Sequence, residues 1–250
     1  MLNLRAMALV IILPVLFAAA PVPPVVPVAG KIGTPVPLFN GKDLTGWTWH
    51  SATATSKIGD VWTVKDGVLH CAGKPLGFID TDKEYKNFTL TVEYRHLTRD
   101  NGGTFVCITG DEKAWATQWP NSIQIQGKFG SVGDLINQNT GMKNMTTDPA
   151  RSKKSGKDIL ITRLPAAPGQ QPEKPLGEWN TLIITMENGN LSVTNNGILL
   201  NTASEISPDS GKIGIQAEGA EMEFKKVEMT PIEPPSGAVK NGMKAAEAEK

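Results

Sequence analysis

The sequence is short of the features that mark many functional classes. Its 250 residues carry 25 basic and 25 acidic side chains, so the formal net charge is zero. A chain without net charge has no overall field that would attract nucleic acid or an anionic membrane surface. We therefore expect no nucleic acid partner, and a non-ionic small molecule or oligosaccharide suits the composition better as a substrate.

Histidine and cysteine are also scarce, at three and two residues. His50, His70 and His96 each lack a partner at metal-ligand spacing, so each is expected to be a surface or packing residue. Cys71 and Cys107 both stand in apolar, strand-like contexts. A disulfide between them and a pair of buried free thiols are both compatible with these contexts.

Familiar catalytic fingerprints are missing as well. The chain contains no GxSxG, HExxH, Walker or dinucleotide-binding pattern. It also shows no amphipathic helix of ordinary length. Its length suits a single all-β sandwich.

Both ends differ in composition from the middle of the chain. The first 20 residues combine one Arg, an apolar run and then alanines at positions 18–20, the pattern of a secretory signal, and the run is too short for a comfortable membrane span. We expect a signal peptide and the start of a proline-rich tether over 1–30, a folded domain over 36–232, and a disordered or weakly helical tail over 233–250. The protein is expected to be extracytoplasmic, periplasmic or secreted, without membrane contact after cleavage; an uncleaved anchor is the alternative.

Within the predicted domain the apolar residues recur with period two. The segment "FTLTVEYR" places one apolar set on one face of a strand: Phe88, Leu90, Val92 and Tyr94. Asp66-Gly67, Asn188-Gly189 and Asn196-Gly197 favour tight hairpin turns between such strands. In "EMEFKKVEM" the alternation breaks at Lys225-Lys226, which predicts a bulge and a charged pair that protects a sheet edge. These patterns predict an antiparallel β-sandwich.

Two predicted strands carry amides or carboxylates on the face opposite their apolar residues. Alternation groups Gln124 with Gln126 on one strand and Gln216 with Glu218 on another. Long amides and acids suit the paired donors and acceptors of sugar hydroxyls, and Trp115, Trp119 and Trp179 are candidates to cover apolar sugar faces. The alternative is an ordinary sheet face in water.

Three carboxylates are candidates for acid and base chemistry: Asp134, Glu178 and Glu218. Asp134 follows Gly133 in a turn, so a turn-forming role competes with a catalytic one. The segment from Gln138 to Glu178 is rich in Lys, Pro, Gly and Asn. An insertion of this length is expected either to form part of a site or to be disordered.

Several motifs together resemble one family. They are, in chain order, "LFNGKDLTGW", "VWTVKDGVL", "GFIDTDKEYKNFTLTVEYR", "NGGTF", "WPNSIQIQ", "GDL", "GEWNTLIITMENGNLSVTNNGILLN" and "GKIGIQAEGAEMEFKKVEM". The chain resembles the 3-keto-disaccharide hydrolases, also described as 3-keto-glucoside 1,2-lyases and 3-keto-2-hydroxyglucal hydratases. The resemblance implies a concanavalin-A-like jelly roll with a concave sugar-facing sheet. The first motif itself is expected to dock the entering strand rather than to form the site.

The resemblance also implies a reaction, in which a sugar 3-oxidoreductase acts upstream to supply the ketone. A base then removes the C2 hydrogen, the C1 oxygen leaves by β-elimination, and water adds. Asp134 or Glu218 is expected to be the base, and a divalent cation on the keto oxygen is left open. The implied binding positions are Asn101, Gln124, Gln126, Glu178 and Gln216. Relatives often read Glu where this chain has Gln124, so a non-catalytic, lectin-like carbohydrate-binding module is the alternative.

Overall fold

The computed structural model describes residues 29–111, 119–138, 144–146, 152–154, 160–162 and 171–233. One short helix, α1 (Ile58–Val61), accompanies the strands in these ranges. The strands are β1 (Lys31–Ile32), β2 (Val36–Pro37), β3 (Trp47–His50), β4 (Trp62–Lys65), β5 (Val68–Cys71), β6 (Gly77–Thr81), β7 (Tyr85–Lys86), β8 (Phe88–His96), β9 (Asn101–Thr109), β10 (Asn121–Gln126), β11 (Leu135–Gln138), β12 (Asn144–Thr146), β13 (Ser152–Lys154), β14 (Leu160–Thr162), β15 (Asn180–Glu187), β16 (Asn190–Asn195), β17 (Ile198–Ser207), β18 (Ser210–Glu218) and β19 (Met222–Glu233).

The described strands form two antiparallel sheets. Sheet I has the order β12-β17-β16-β15-β8-β19-β5-β4, and β1 and β2 also pair with β19. Sheet II has the order β13-β14-β11-β10-β9-β18-β6-β3, and β7 pairs with β18. The predicted all-β, antiparallel sandwich is confirmed.

The core lies between the two sheets because each sheet turns one apolar face inward. In β8 burial alternates along the whole strand, with Phe88, Leu90, Val92 and Tyr94 buried as the sequence predicts. Residues from both sheets join in one cluster, including Leu90 and Ile184 from sheet I and Ile123 and Ile215 from sheet II. Burying one such side chain contributes roughly 1.5–3 kcal/mol, so the paired faces stabilise the sandwich.

The three predicted hairpin turns have the backbone geometry that their sequences favour. Asp66 and Gly67 have φ angles of 51° and 78° between β4 and β5. Asn188-Gly189 and Asn196-Gly197 show the same pair of positive angles. Positive φ at both central residues defines a type I′ turn, which matches the twist of the flanking strands.

The predicted bulge is present, but the strand that carries it is not at an edge. The register of β19 against β8 shifts between Phe224 and Lys226. On its other side β19 pairs with β5 up to Phe224 and with β2 from Glu228, so β19 is not an edge strand, although Lys225-Lys226 lie between those two pairings. Lys225 instead pairs with Glu93 at 2.8 Å on the outer face of sheet I.

The opening motif "LFNGKDLTGW" joins the core, as expected. Phe39 and Trp47 are buried, and the Trp47 indole donates to the Leu38 carbonyl oxygen at 2.8 Å. The Asn40 side-chain oxygen accepts from the Lys42 backbone amide at 2.7 Å, which closes the turn between them. The motif therefore fixes the entry of the chain into the sandwich.

Both cysteines are buried free thiols, so the disulfide does not form. Burial raises the pKa of Cys71 and of Cys107 to about 12, which keeps both thiols protonated and apolar in character. No helix in the described ranges is long and apolar enough to span a membrane. Most of the predicted signal and tail segments, 1–28 and 234–250, lie outside those ranges.

Candidate functional site

The candidate site lies on the face of sheet II that points away from the core, which we call the polar face. Strand register sets which side chains are neighbours there, and alternation keeps them on one side. One row crosses β10, β9, β18, β6 and β3 through Gln126, Gly103, Gln216, Phe78 and His50. The adjacent row runs through Gln124, Phe105, Gly214, Asp80 and Thr48.

The amides of the polar face are not ordinary solvent-facing residues. Gln124 and Gln216 are each only 1% exposed. Burying an amide costs free energy unless the amide is hydrogen-bonded, so such residues need specific partners. A face that is simply in water therefore does not account for them.

Gln124 is the centre of a hydrogen-bonded amide network. Its Oε1 accepts from Gln138 Nε2. Its Nε2 donates to Gln126 Oε1 and to Gln216 Oε1, both at 3.0 Å. Because its amide is engaged by protein groups on both sides, Gln124 acts as a scaffold for its neighbours.

Glu218 lies beside this network, at the end of β18. Asn101 on β9 donates through Nδ2 to Glu218 Oε2 at 2.6 Å. Burial and the nearby charge of Asp100 raise the pKa of Glu218 to about 7, although Asn101, Lys128 and Gln216 favour the charged form. A carboxyl group with a pKa near neutral can both accept and return a proton at physiological pH.

Asp134 belongs to the same face but stands apart from Glu218. It immediately precedes Leu135 of the core, so alternation places it on the polar face, and it is 5% exposed. The Gln126 backbone amide donates to its carbonyl oxygen at 2.8 Å. Three inter-strand steps, about 14 Å in all, separate it from β18. The structure therefore brings Asn101, Gln124, Gln126, Gln216 and Glu218 together, with Asp134 at the far side.

The tryptophans predicted to cover a sugar do not lie together in the structure. Trp119 packs near Phe105 with ring centroids 6.2 Å apart, in a small apolar cluster of the polar face. Trp179 lies instead on the outer face of sheet I, where Arg95 Cζ is 4.7 Å from the centroid of the Trp179 ring. Trp115 lies outside the described residues. Of the described pair, only Trp119 is placed to cover a ligand on the polar face.

Glu178 is not part of this arrangement. It is exposed in the turn that precedes β15, and its backbone amide donates to the Pro175 carbonyl oxygen at 3.2 Å. The strand that it precedes belongs to sheet I. Glu178 and the polar face therefore lie on different sheets.

A second polar cluster, which the sequence patterns did not predict, lies on the same face. Asp80 is 1% exposed, and its carboxylate lies 3.1 Å from His50 Nε2 and 3.4 Å from Lys212 Nζ. The His50 ring stacks on Phe78 with centroids 4.8 Å apart. The signal that could have found this cluster is alternation in "GFIDT", which puts Phe78 and Asp80 on one face of a strand. Gly214 of β18 pairs with Asp80, and Glu218 lies four residues further along the same strand. The two clusters are therefore about 13 Å apart along β18.

The other two histidines lie apart from this cluster, and His96 is more than a packing residue because its Nδ1 lies 3.2 Å from the buried Glu173 Oε1. His70 pairs with Glu221 at 2.9 Å near the surface. His96 is buried and donates through Nε2 to the Gly127 carbonyl oxygen at 2.7 Å. Since Lys128 follows Gly127, this bond helps to fix the loop that brings a positive charge towards Glu218.

The described residues do not fit a metal centre. Among them no group of three or more His, Cys, Asp or Glu side chains is arranged to bind a metal ion. Near Glu218 the second carboxylate is Asp100, and Lys128 supplies positive charge there. The divalent cation that the sequence leaves open therefore finds no complete set of ligands among the described residues.

Known structures share the fold at low sequence identity. A candidate glycosyl hydrolase from Parabacteroides distasonis is 22% identical with a TM-score of 0.55, over 80% of this chain and 94% of that one. An endo-β-1,3-glucanase from Pyrococcus furiosus is 10% identical with a TM-score of 0.53, over 81% and 95%. A Bacillus licheniformis β-glucanase is 13% identical with a TM-score of 0.51, over 79% and 97%. These likenesses support the jelly-roll assignment.

Sequence comparison gives a more specific result. Residues 34–230 match the family described as a 3-keto-alpha-glucoside-1,2-lyase-like domain. No protein of curated function matches the chain in sequence.

Proposed function

The chain belongs to the 3-keto-alpha-glucoside-1,2-lyase-like family, and from this premise we propose that it is an enzyme that cleaves 3-keto-glycosides. Family membership supports a carbohydrate-active role, and the polar face supplies suitable chemistry. The observation that carries the proposal is Glu218, whose pKa is about 7 and whose carboxylate accepts from Asn101. Among the described carboxyl groups of the polar face, Glu218 is the one whose burial and charged neighbours bring its pKa close to neutrality.

The reaction needs one group that takes a proton and returns it. A ketone at C3 acidifies the C2 hydrogen, and the Glu218 carboxylate removes that proton. The electron pair left on C2 forms the C1–C2 double bond as the glycosidic oxygen leaves C1 with its bonding pair and takes the proton back from Glu218. Water then adds its hydroxyl to C1 and its proton to C2, which completes a net hydrolysis.

Glu218 fits the role of base better than Asp134. A sugar ring whose C2 hydrogen lies against Glu218 has Asp134 about 14 Å away at the backbone, beyond the reach of the same carbon atom. Asn101 and Gln216 lie beside Glu218, where they can hold the ring oxygens. Phe105 and Trp119 offer apolar surface to a neighbouring sugar face.

The test is turnover of a defined substrate. Purified protein is incubated with 3-keto-trehalose or a 3-keto-glucoside, with and without a chelator, and leaving-group release and enone absorbance are followed. We expect product from the wild type, none from Glu218→Gln, and near wild-type turnover from the matched control Asp134→Asn. Absence of product from the wild type under both conditions would refute the proposal for these substrates.

A lectin-like module is the second candidate. It is favoured by Gln124, a neutral amide engaged within the protein at a position where relatives often have Glu. A lectin would bind the unoxidised sugar and release no product, and Glu218→Gln would alter its affinity without any turnover to lose. Calorimetric titration with trehalose and its 3-keto derivative separates the two functions.

We further propose that the protein acts outside the cytoplasm and downstream of a sugar 3-oxidoreductase. The apolar run and alanines of residues 1–20 support export, and the required ketone supports the preceding oxidation. Fractionation of cells that express the full chain, with N-terminal sequencing of the product, tests export. Coupled incubation of the unoxidised glycoside with such an oxidoreductase tests the reaction order.

A further inference from the structure

Two glutamine side chains on the polar face are bonded across an intervening strand. Gln124 on β10 donates to Gln216 on β18 at 3.0 Å, although β9 lies between those strands. Strands two apart in a sheet are separated by about 10 Å, which two extended amide side chains can span. We call this contact the amide bridge.

The amide bridge depends on a glycine in the strand that it crosses. Gly103 of β9 is the direct partner of both Gln126 and Gln216 in the strand register. A Cβ atom at Gly103 would lie 2.8 Å from Gln216 Oε1 and 3.1 Å from Gln124 Nε2. Any side chain at this position would therefore push against the two bonded atoms.

The network also fixes which way Gln216 faces. Gln124 accepts from Gln138 through Oε1, so its Nε2 is the group that reaches Gln216. Because the Gln216 oxygen accepts that bond, its NH₂ group is directed away from Gln124. On that side lies Glu218, two residues further along the same face of β18.

The NH₂ group of Gln216 lacks a proper partner. Gln216 is 1% exposed, and within the described residues its Nε2 makes no hydrogen bond of standard geometry. The Glu218 carboxylate is the neighbour that this amide favours as an anion, and the NH₂ group carries a second N–H that can donate to another acceptor. An unsatisfied buried donor costs free energy, which a bound acceptor would recover.

We propose that Gln216 Nε2 binds the carbonyl oxygen of the substrate, and that Gln124 and Gly103 are positioning residues that hold it there through the amide bridge. This assignment rests on the proposed function and names the chemical class that the site takes, a ketone with an acidic neighbouring C–H. The keto oxygen on C3 and the hydrogen on C2 belong to adjacent carbons, as the donor and the base belong to adjacent side chains. Charge that develops on the oxygen during proton removal meets a donor already in place.

The first test measures the carboxyl of Glu218 and needs no activity. Carbon-13 NMR of glutamate-labelled protein, assigned with Glu218→Gln, gives the pKa of Glu218. Because Gln216 favours the anion, Gln216→Leu should raise this pKa. Gln124→Leu should raise it too, although Gln124 donates to Gln216 rather than to Glu218.

Ser122→Ala is the matched control for these variants. Ser122 is buried on the same face of β10, and its hydroxyl donates to the Pro120 carbonyl oxygen at 3.2 Å, outside the amide network. We expect no change in the Glu218 titration. An unchanged titration in both Gln124→Leu and Gln216→Leu would overturn the amide bridge as a positioning device.

The second test measures turnover of a 3-keto-glucoside. Gln216→Leu should lower kcat by about 10²-fold, the usual loss for one donor to a developing oxyanion. Gln124→Leu and Gly103→Ala should lower kcat in the same direction while KM changes little, because the donor acts mainly in the transition state. Thermal unfolding checks Gly103→Ala for folding, and Gln124→Leu serves if that variant does not fold.

The outcomes separate the two proposals. If the wild type is active and Gln216→Leu retains its kcat, the donor role is wrong and the proposed function stands. If the wild type turns over no 3-keto-glycoside, the proposed function fails and the donor role fails with it. A raised Glu218 pKa together with a reduced kcat in both glutamine variants would support the assignment.

Discussion

Asn101 and Glu218 face each other across the β9–β18 pair, and the amide of the first donates to the carboxylate of the second at 2.6 Å. This bond favours the ionised carboxylate, whereas burial and Asp100 oppose ionisation more strongly. The balance places the pKa of Glu218 at about 7 instead of its ordinary value of 4.5.

Protein stability should depend on the ionisation of Glu218. Its pKa is higher in the folded chain than in the unfolded chain, so the stability it contributes is fully present below about pH 4.5 and is lost as pH rises through about 7. The Tm of the wild type should therefore fall relative to that of Glu218→Gln across this window. Thermal unfolding at several pH values measures the difference, and a constant difference would contradict the raised pKa.

The two charges that flank Glu218 should move its titration in opposite directions. Asp100→Asn removes a negative charge and should lower the pKa of Glu218, while Lys128→Met removes a positive charge and should raise it. In the proposed enzyme, the acid limb of the pH profile of kcat/KM should shift with the same signs. Shifts of equal sign in the two variants would rule out this electrostatic arrangement.

The two described tryptophans of the predicted set should have separable effects. Trp119→Ala removes apolar surface beside Phe105 and should weaken sugar binding about tenfold, near the upper end for one aromatic contact. Trp179→Ala, which disrupts the contact with Arg95 on sheet I, should leave binding unchanged. Calorimetric titration of both variants with the same ligand compares them directly.

The buried carboxylate of Asp80 should matter chiefly for stability. Asp80→Ala leaves His50 and Lys212 without their shared partner and should cost about 3 kcal/mol in the free energy of unfolding. Glu93→Ala breaks the more exposed pair with Lys225 and should cost less than about 1 kcal/mol. Denaturant unfolding of both variants provides the comparison, and equal losses would contradict the burial argument.

The sequence predicted features that depend on neighbouring residues. Alternation gave the buried face of β8 and the grouping of Gln216 with Glu218, and Asp66-Gly67 predicted its turn. These features follow from the period-two geometry of strands and from the backbone angles that Asn, Asp and Gly tolerate. The bulge at Lys225-Lys226 was predicted for the same reason.

Contacts between strands that are distant in the chain could not be predicted from the sequence. Alternation assigns Gln124 and Gln216 to faces, but it does not say that β9 lies between their strands or that Gly103 leaves room for their contact. The same limit hid the approach of His50 to Lys212 around Asp80. It also left Asp134 and Glu218 equal as candidate bases, because their separation depends on the order β11-β10-β9-β18.

The start of the described chain has a practical consequence for experiments. The backbone amides of Ala29 and Gly30 donate to the Glu187 carboxylate at 2.9 and 2.7 Å, and β1 then pairs with β19. The chain thus enters at sheet I, whereas the side proposed to bind the ligand belongs to sheet II. An affinity tag or sensor-chip linkage attached ahead of Ala29 should leave that side accessible, which makes N-terminal immobilisation the sensible orientation for sugar-binding measurements.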